Sequence, residues 1–506
     1  GSVFLTTGLL AGNGILRVNG GTGGPRGGGG RIAVILTNDT VFGTVTMQAY
    51  AGGANAAAGT VYLQHTGHLS GQGKLVVDYN DQVVSDSITI NTMQNGYAAS
   101  SYSFSEILLT NGAVYALDTN DTLDIVGKPI CGDPTDRNDG IYVAGGTLTV
   151  PAAFGFTNYF IAIGRTNATF DPTTSLTVGT NATLIMDVPW TMNYPITLEA
   201  GGWMTHSANS TEAAGERYKI NLTVKGNLDI QTNAQINVDG KGYSGGNGIG
   251  KSPDGVYGAG ASYGGVGGPY GGTGKPGPPY GSITAPTNIG SGGFYSGGGA
   301  VQLIVAGTTI VNGVISARGD PAGDQNGGSG GSVFLTTGTL VGNGILRVIG
   351  GTASGYGGGS GGGGRIAVVL SNASDIGSVK LQACSVGAAG NNNGAAGTVY
   401  LRTSAQDPGQ GILWINASNV NSAVTALIGS NVTDTVVGTV IVTNAAILAV
   451  SNATLTVQGD WVNRATFTGM AGGAVKFAGT NAAAIRGHNT YYNLVCTNAD
   501  KILRFE

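Results

Sequence analysis

Charge is scarce in this chain: of 506 residues only 10% are Asp, Glu, Lys or Arg, and the formal net charge is −4. The basic residues are scattered singly, so neither nucleic acid nor an anionic membrane surface finds an electrostatic footprint. Cysteine is equally sparse. Cys131, Cys384 and Cys496 lie far apart without metal-ligand spacing, and an odd count cannot pair fully within the chain. They read as small buried hydrophobes. No stretch approaches the roughly 20 apolar residues of a membrane-spanning helix. No window carries a capped helical period, so helix is expected to be nearly absent. That absence bears on the glycines too, including Gly250-Lys251-Ser252, because dinucleotide and P-loop motifs need a following helix whose N-terminus holds the phosphate.

What is there is glycine, 93 residues of it, together with 41% hydrophobic residues. Disordered chains are charged and poor in apolar residues, which excludes them. Glycine does not recur at every third position, which excludes collagen. A β-rich body with glycine at its corners and in its loops remains.

The chain repeats itself. Gly1-Ser-Val-Phe-Leu-Thr-Thr-Gly8 returns as residues 331–338, and Gly27-Gly-Gly-Gly-Arg-Ile-Ala-Val34 returns as residues 361–368. Gly59-Thr-Val-Tyr-Leu63 returns as residues 397–401, so slippage falls in glycine-rich loops while apolar runs stay intact. About one and a half copies of a unit of roughly 330 residues are present, a period that marks a repeat architecture.

Short apolar runs alternate with turn residues throughout, with period two at Val45 and Met47, Val61 and Leu63, and Leu75 and Val77. Strands this short suit the rungs of a β-solenoid, in which each coil buries its apolar face on the coil before it. The expected fold is all-β: an elongated right-handed parallel β-helix with polyglycine-II-like excursions. Residues 1–80 read as glycine-rich coils, 81–223 as regular coils and 224–330 as a Gly/Tyr/Pro-rich region with strands. Residues 331–418 are a second copy of 1–80, and 419–506 are coils continuing into a following repeat. Both ends read as cut within a repeat. The glycine field at 240–299 is expected to be ordered beside the coils, since close backbone packing needs residues without Cβ.

The Gly-Gly-Gly-Arg-Ile-Ala-Val and Ala-Gly-Thr-Val-Tyr-Leu motifs and Asn452-Ala-Thr-Leu-Thr-Val457 resemble segments of large bacterial glycine-rich surface proteins. The ending Phe477-Ala-Gly-Thr … Asn489-Thr-Tyr-Tyr-Asn-Leu494 is similar to repeats of the same group, the autotransporter-like and haemagglutinin-like β-helix adhesins. The glycine field resembles the polyglycine-II regions of phage adhesins and of a glycine-rich receptor ectodomain. The resemblance implies an extracellular, cell-surface fibre module and carries over no catalytic residue.

Candidate chemistry is thin. Asp133, Asp136, Asn138 and Asp139 offer oxygen ligands of the kind Ca²⁺ takes, but at a spacing that suits a solvated turn better than an EF-hand loop. Asp320, Asp324 and Asn326 are a weaker version. Asp78, Asp81 and Asp124 are the carboxylates available for polysaccharide cleavage, and nothing selects them. His65, His68, His206 and His488 lack a nucleophile at motif spacing. Tyr243, Tyr257, Tyr263, Tyr270, Tyr280 and Tyr295 either form an adhesive aromatic surface or plug gaps between glycine strands. Asn-x-Ser/Thr occurs at Asn38, Asn120, Asn167, Asn181, Asn209, Asn221, Asn372, Asn416, Asn431 and Asn452, where a turn role competes with glycosylation. The expectation is a non-catalytic structural and adhesive repeat module of a very large extracellular fibre. Its partners are neighbouring repeats or copies, surface glycans or another cell. The alternatives are a carbohydrate-binding or polysaccharide-cleaving β-helix and a phage-type fibre adhesin.

Overall fold

Val, Ile and Leu at alternate positions give each short segment one apolar face, and such a face is buried only by stacking. A computed structural model describes the chain except residues 25, 54–55, 81–100, 133, 135–136, 210–214, 322–324, 354–356, 388–391, 419 and 421–425. The protein is all-β. Among the described residues the one helical element is a single 3₁₀ turn, Tyr270–Gly272. Two compact units are present: Gly1–Val188 with Asn193–Met204, and Pro189–Met192 with Thr205–Glu506.

In the first unit, the strands Ser2–Thr7, Arg31–Leu36 and Thr60–Gln64 pair in parallel, the third carrying the alternating Val61 and Leu63. From Val114 onward a cleaner order sets in, with each strand pairing with the one three further along. Val114–Leu117 pairs Gly140–Val143, then Phe160–Ile163, then Thr183–Met186, all in parallel. Thr122–Asp124, Thr147–Thr149 and Thr169–Phe170 form a second such series, and Ala153–Phe156, Ser175–Val178 and Ile196–Leu198 a third. The inward positions Leu123, Ile141, Leu148, Ile161, Phe170, Leu176, Val178 and Leu184 are buried. Each contributes about 1.5–3 kcal/mol of transfer free energy. Asn120, Asn158 and Asn181 take positive φ at the corners, the left-handed conformation that Asn tolerates better than other L-residues with a full side chain.

The second unit repeats this plan. Ala300–Val311, Ser332–Val341, Arg365–Leu370 and Thr398–Arg402 run parallel, with one register shift between Val305 and Thr308 in the first pair. Gln235–Asn237 pairs Val314–Ser316 in a parallel sheet, but the chain between them makes the long glycine excursion. That excursion is ordered backbone. Successive residues Gly260, Ala261 and Ser262 donate to three different neighbours, the carbonyls of Gly268, Gly327 and Gly250. Such lateral bonding works only without side chains in the way: a Cβ on Gly264 would sit 2.1 Å from the Gly364 carbonyl oxygen.

One feature departs from the expected all-parallel order, and it occurs in both copies. Thr60–Gln64 pairs antiparallel with Lys74–Asp78, placing Val61 opposite Val76 and Tyr62 opposite Leu75. Thr398–Arg402 pairs antiparallel with Ile412–Asn416, placing Val399 opposite Trp414 and Tyr400 opposite Leu413. Parallel pairing resumes on the far side in each copy. Partners directly opposite share a face, so the core changes sides at the joint. Before it, Ile32, Val34 and Val61 are buried; beyond it, the buried set is Leu75, Val77, Ile107 and Leu109, on the face of Tyr62. In the second copy Tyr400 and Ala367 pack with Leu413, Ile415, Val440 and Val442.

Candidate functional site

The most elaborate side-chain cluster lies where the glycine excursion crosses the second copy. Four glycines deliver Arg365 to a strand position facing that excursion, and its guanidinium is fully buried. Its Nε donates to the Tyr280 carbonyl oxygen at 2.9 Å and its Nη1 to Thr398 Oγ1 at 3.0 Å. The guanidinium lies 5.5 Å from the Tyr263 ring centroid, a cation–π contact. Tyr263 and Tyr280 are 4.7 Å apart, and the Tyr280 hydroxyl donates to the Ile289 carbonyl at 2.7 Å. Burial holds Arg365 down to about 10 and pushes both phenols well above their ordinary range. No group here is poised to exchange a proton at neutral pH. The cluster fastens the excursion to the sheet.

The six tyrosines therefore separate. Tyr243, Tyr263 and Tyr280 are buried plugs, which removes them from any aromatic surface. Tyr270 opens the 3₁₀ turn and is half-buried. Tyr257 and Tyr295 remain exposed at 59% and 41%, on either side of Phe294 at ring separations of 5.5 and 5.2 Å. Two exposed aromatic rings packed on the half-buried Phe294 give contact area at low entropic cost.

Of the acidic loop, Asp133 and Asp136 lie outside the described residues. Asp139 is fully buried, and its Oδ1 accepts the backbone N–H groups of Gly112 at 3.0 Å and Ala113 at 2.8 Å. Asn138 beside it is exposed. The Asp139 carboxylate clamps the turn ahead of the neighbouring parallel strand Val114–Leu117. Asp139→Ala should cost about 1–3 kcal/mol, since the buried Ala113 amide and the part-buried Gly112 amide lose their acceptor; urea unfolding of the variant measures this.

The other candidates are local supports or fall outside the described residues. Asp78 Oδ1 accepts from the Asn80 amide and from Asn111 Nδ2, both at 2.8 Å, and Asp124 Oδ1 accepts the Val126 amide at 3.0 Å. Asp81 and Asp324 lie outside the described residues. Asn326 is buried and ties the excursion down through Nδ2 to the Val256 carbonyl at 2.9 Å. His65 and His68 stack on each other at 3.7 Å, whereas His206 is fully buried and His488 exposed. Cys384 is buried, and Cys131 and Cys496 are exposed thiols. Among the described residues no three His, Cys, Asp or Glu side chains gather as a metal site.

Residues 245–252 do satisfy the P-loop spacing, with Gly245 five positions before Gly250, but no helix follows. Ser252, which a P-loop would turn to a metal, donates instead to the Lys275 carbonyl at 2.7 Å. Among the glycosylation candidates, Asn38, Asn120, Asn167, Asn372, Asn431 and Asn452 are exposed. Asn181, Asn221 and Asn416 are half-buried. Asn209 is buried: its Nδ2 donates to the carbonyls of Tyr218 and Lys241, both at 2.9 Å, which leaves no amide free for a glycan.

Two anchors carried no sequence signal. Arg137 stacks on Trp203 at 4.3 Å and donates to the Gly201 carbonyl at 2.7 Å, while Lys501 donates to the Gln458 carbonyl at 2.7 Å. Isolated cations in turns give no warning of this in sequence. Arg365 did have a signal: it is the same Arg after four glycines as Arg31.

With these elements in view the protein is an all-β chain of stacked parallel sheets interleaved with glycine-rich backbone. No known family model matches it, and neither does any curated protein or solved structure.

Proposed function

We propose that the chain is a non-catalytic structural and adhesive segment of a large extracellular, cell-surface fibre, built as a right-handed parallel β-solenoid. The observation that carries this reading is the joint present at the same place in both copies. Reversing strand direction alone would reverse the winding sense of the coils. Moving the core to the other face reverses it again, so the hand is retained through the joint. Parallel β-connections are right-handed in about 98% of cases, and both runs of coils can obey that rule. Such a joint propagates a fibre. Its strands pair edge to edge, and the pairing can continue from one repeat to the next.

The exposed Tyr257 and Tyr295, with the half-buried Phe294 between them, favour a second reading in which this module also binds carbohydrate or another cell surface. A chain extended by further copies of residues 1–330 tests the fibre reading by electron microscopy. Particle length should increase by a constant increment per added copy at constant width. Compact particles whose width grows instead would sink the fibre reading and leave the carbohydrate-binding one.

A further inference from the structure

The two copies share their sequence but not their cover. In the second copy the outward face of the sheet is buried at Ser332, Arg365, Ala367, Thr398 and Tyr400, all under the glycine excursion or the coils beyond the joint. Its glycine loop is also bonded to the excursion: Gly362 N–H donates to the Ala261 carbonyl at 2.9 Å, and Ala395 N–H to the Val266 carbonyl at 2.7 Å. Gly265 N–H returns a bond of 2.8 Å to the Gly363 carbonyl.

Of the matching groups of the first copy none is buried: Ser2 and Arg31, matching the buried Ser332 and Arg365, are exposed, and Ala33, Thr60 and Tyr62 are half-buried. Phe4, matching the partly buried Phe334, is 72% exposed. Among the described residues, the amides of Gly28 and Ala57, which match Gly362 and Ala395, have no backbone acceptor. Gly28 is exposed, and the loop Gly21–Gly24 leaves its glycines with open space where a Cβ would stand at Gly21, Gly23 and Gly24.

We propose that this face of residues 1–60 is a docking site for the glycine- and tyrosine-rich segment of another repeat of the same sequence. The segment would lie as residues 240–299 lie on the second copy: two backbone bonds to Gly28 and Ala57, a carbonyl accepting from Arg31, and a tyrosine ring against the guanidinium. Consecutive repeats are then joined by glycine backbone packed into the next sheet as well as by strand pairing. The inference deepens the fibre reading and rests on it only for the source of the segment. Its failure would leave strand-to-strand propagation untouched, which the length measurement reads separately.

The test uses the intact chain in two forms. In one, a polypeptide of residues 240–299 is added in trans and its binding read by fluorescence anisotropy. In the other, residues 205–330 are fused directly ahead of Gly1, which reproduces the context of Gly331, and amide exchange is followed by NMR. Saturable one-to-one binding, or at least tenfold slower exchange at Gly28 and Ala57 in the fusion, is expected. Arg31→Glu should abolish either effect while leaving the exchange of Gly362 and Ala395 unchanged. Unchanged exchange at Gly28 and Ala57 in the fusion, together with no binding in trans, would overturn the proposal. So would binding that Arg31→Glu does not weaken.

Discussion

Gly362→Ala should destabilise the protein by about 3 kcal/mol or more, whereas Gly28→Ala, at the same place in the first copy, should be neutral or mildly stabilising. Both glycines sit second in the same run of four before an arginine. A Cβ on Gly362 would lie 2.1 Å from the Gly265 carbonyl oxygen and 2.6 Å from its carbon. Both are backbone atoms of a segment bonded on several sides, so no rotamer change relieves the overlap. A Cβ on Gly28 meets nothing nearer than the Ala57 carbonyl oxygen at 3.5 Å, an ordinary contact. Its gain would come from the unfolded chain, which loses conformational freedom when Ala replaces Gly. Urea unfolding of both variants against the parent separates the cases, and equal effects would mean that the excursion does not pack on the second copy as described. In a chain with residues 205–330 fused ahead of Gly1, Gly28→Ala should become as costly as Gly362→Ala.

That pair also shows what the sequence could and could not convey. The period-two alternation of Val61 with Leu63 and of Leu75 with Val77 falls inside the strands Thr60–Gln64 and Lys74–Asp78, because one buried face forces that alternation. The repeat told which strands are equivalent. It could not tell that Arg31 and Arg365 differ in burial, since the cover on Arg365 comes from Tyr263 and Tyr280, remote in sequence. The joint was hidden for a related reason. Alternation in Thr60–Gln64 and Lys74–Asp78 says that each has an apolar face, but not that Val61 faces away from Leu75. Only the register between them carries that information. In the glycine field no period exists to read, because backbone that bonds to three neighbours has no inward and outward face. Tyr263 and Tyr257 therefore look alike in sequence, yet one is buried and the other exposed.

Lowering the pH from 6.5 towards 4 should weaken the second unit through His206, and replacing this histidine by Gln should remove most of that dependence. The ring is fully buried; its Nδ1–H donates to the Ser207 carbonyl at 2.7 Å, and Nε2 accepts the Ala300 amide at 3.3 Å. Those two bonds require the neutral ring. Burial is the main force holding the imidazole down, to about 3 from 6.5; the Ser207 bond opposes this, and Lys241 and Lys219 add to it. Between those values the unfolded chain binds a proton that the folded chain refuses. The stabilisation is therefore complete above pH 6.5 and is lost as pH falls, at up to about 1.4 kcal/mol per pH unit and about 5 kcal/mol in all. The first amide to lose protection should be Ala300, which begins the strand Ala300–Val311 where the glycine excursion rejoins the sheet. Gln cannot take a proton in this range, so its variant should start weaker at pH 7 yet show a flatter profile down to pH 4. Urea unfolding at half-unit pH steps measures both slopes, and identical slopes would place the acid-sensitive group elsewhere.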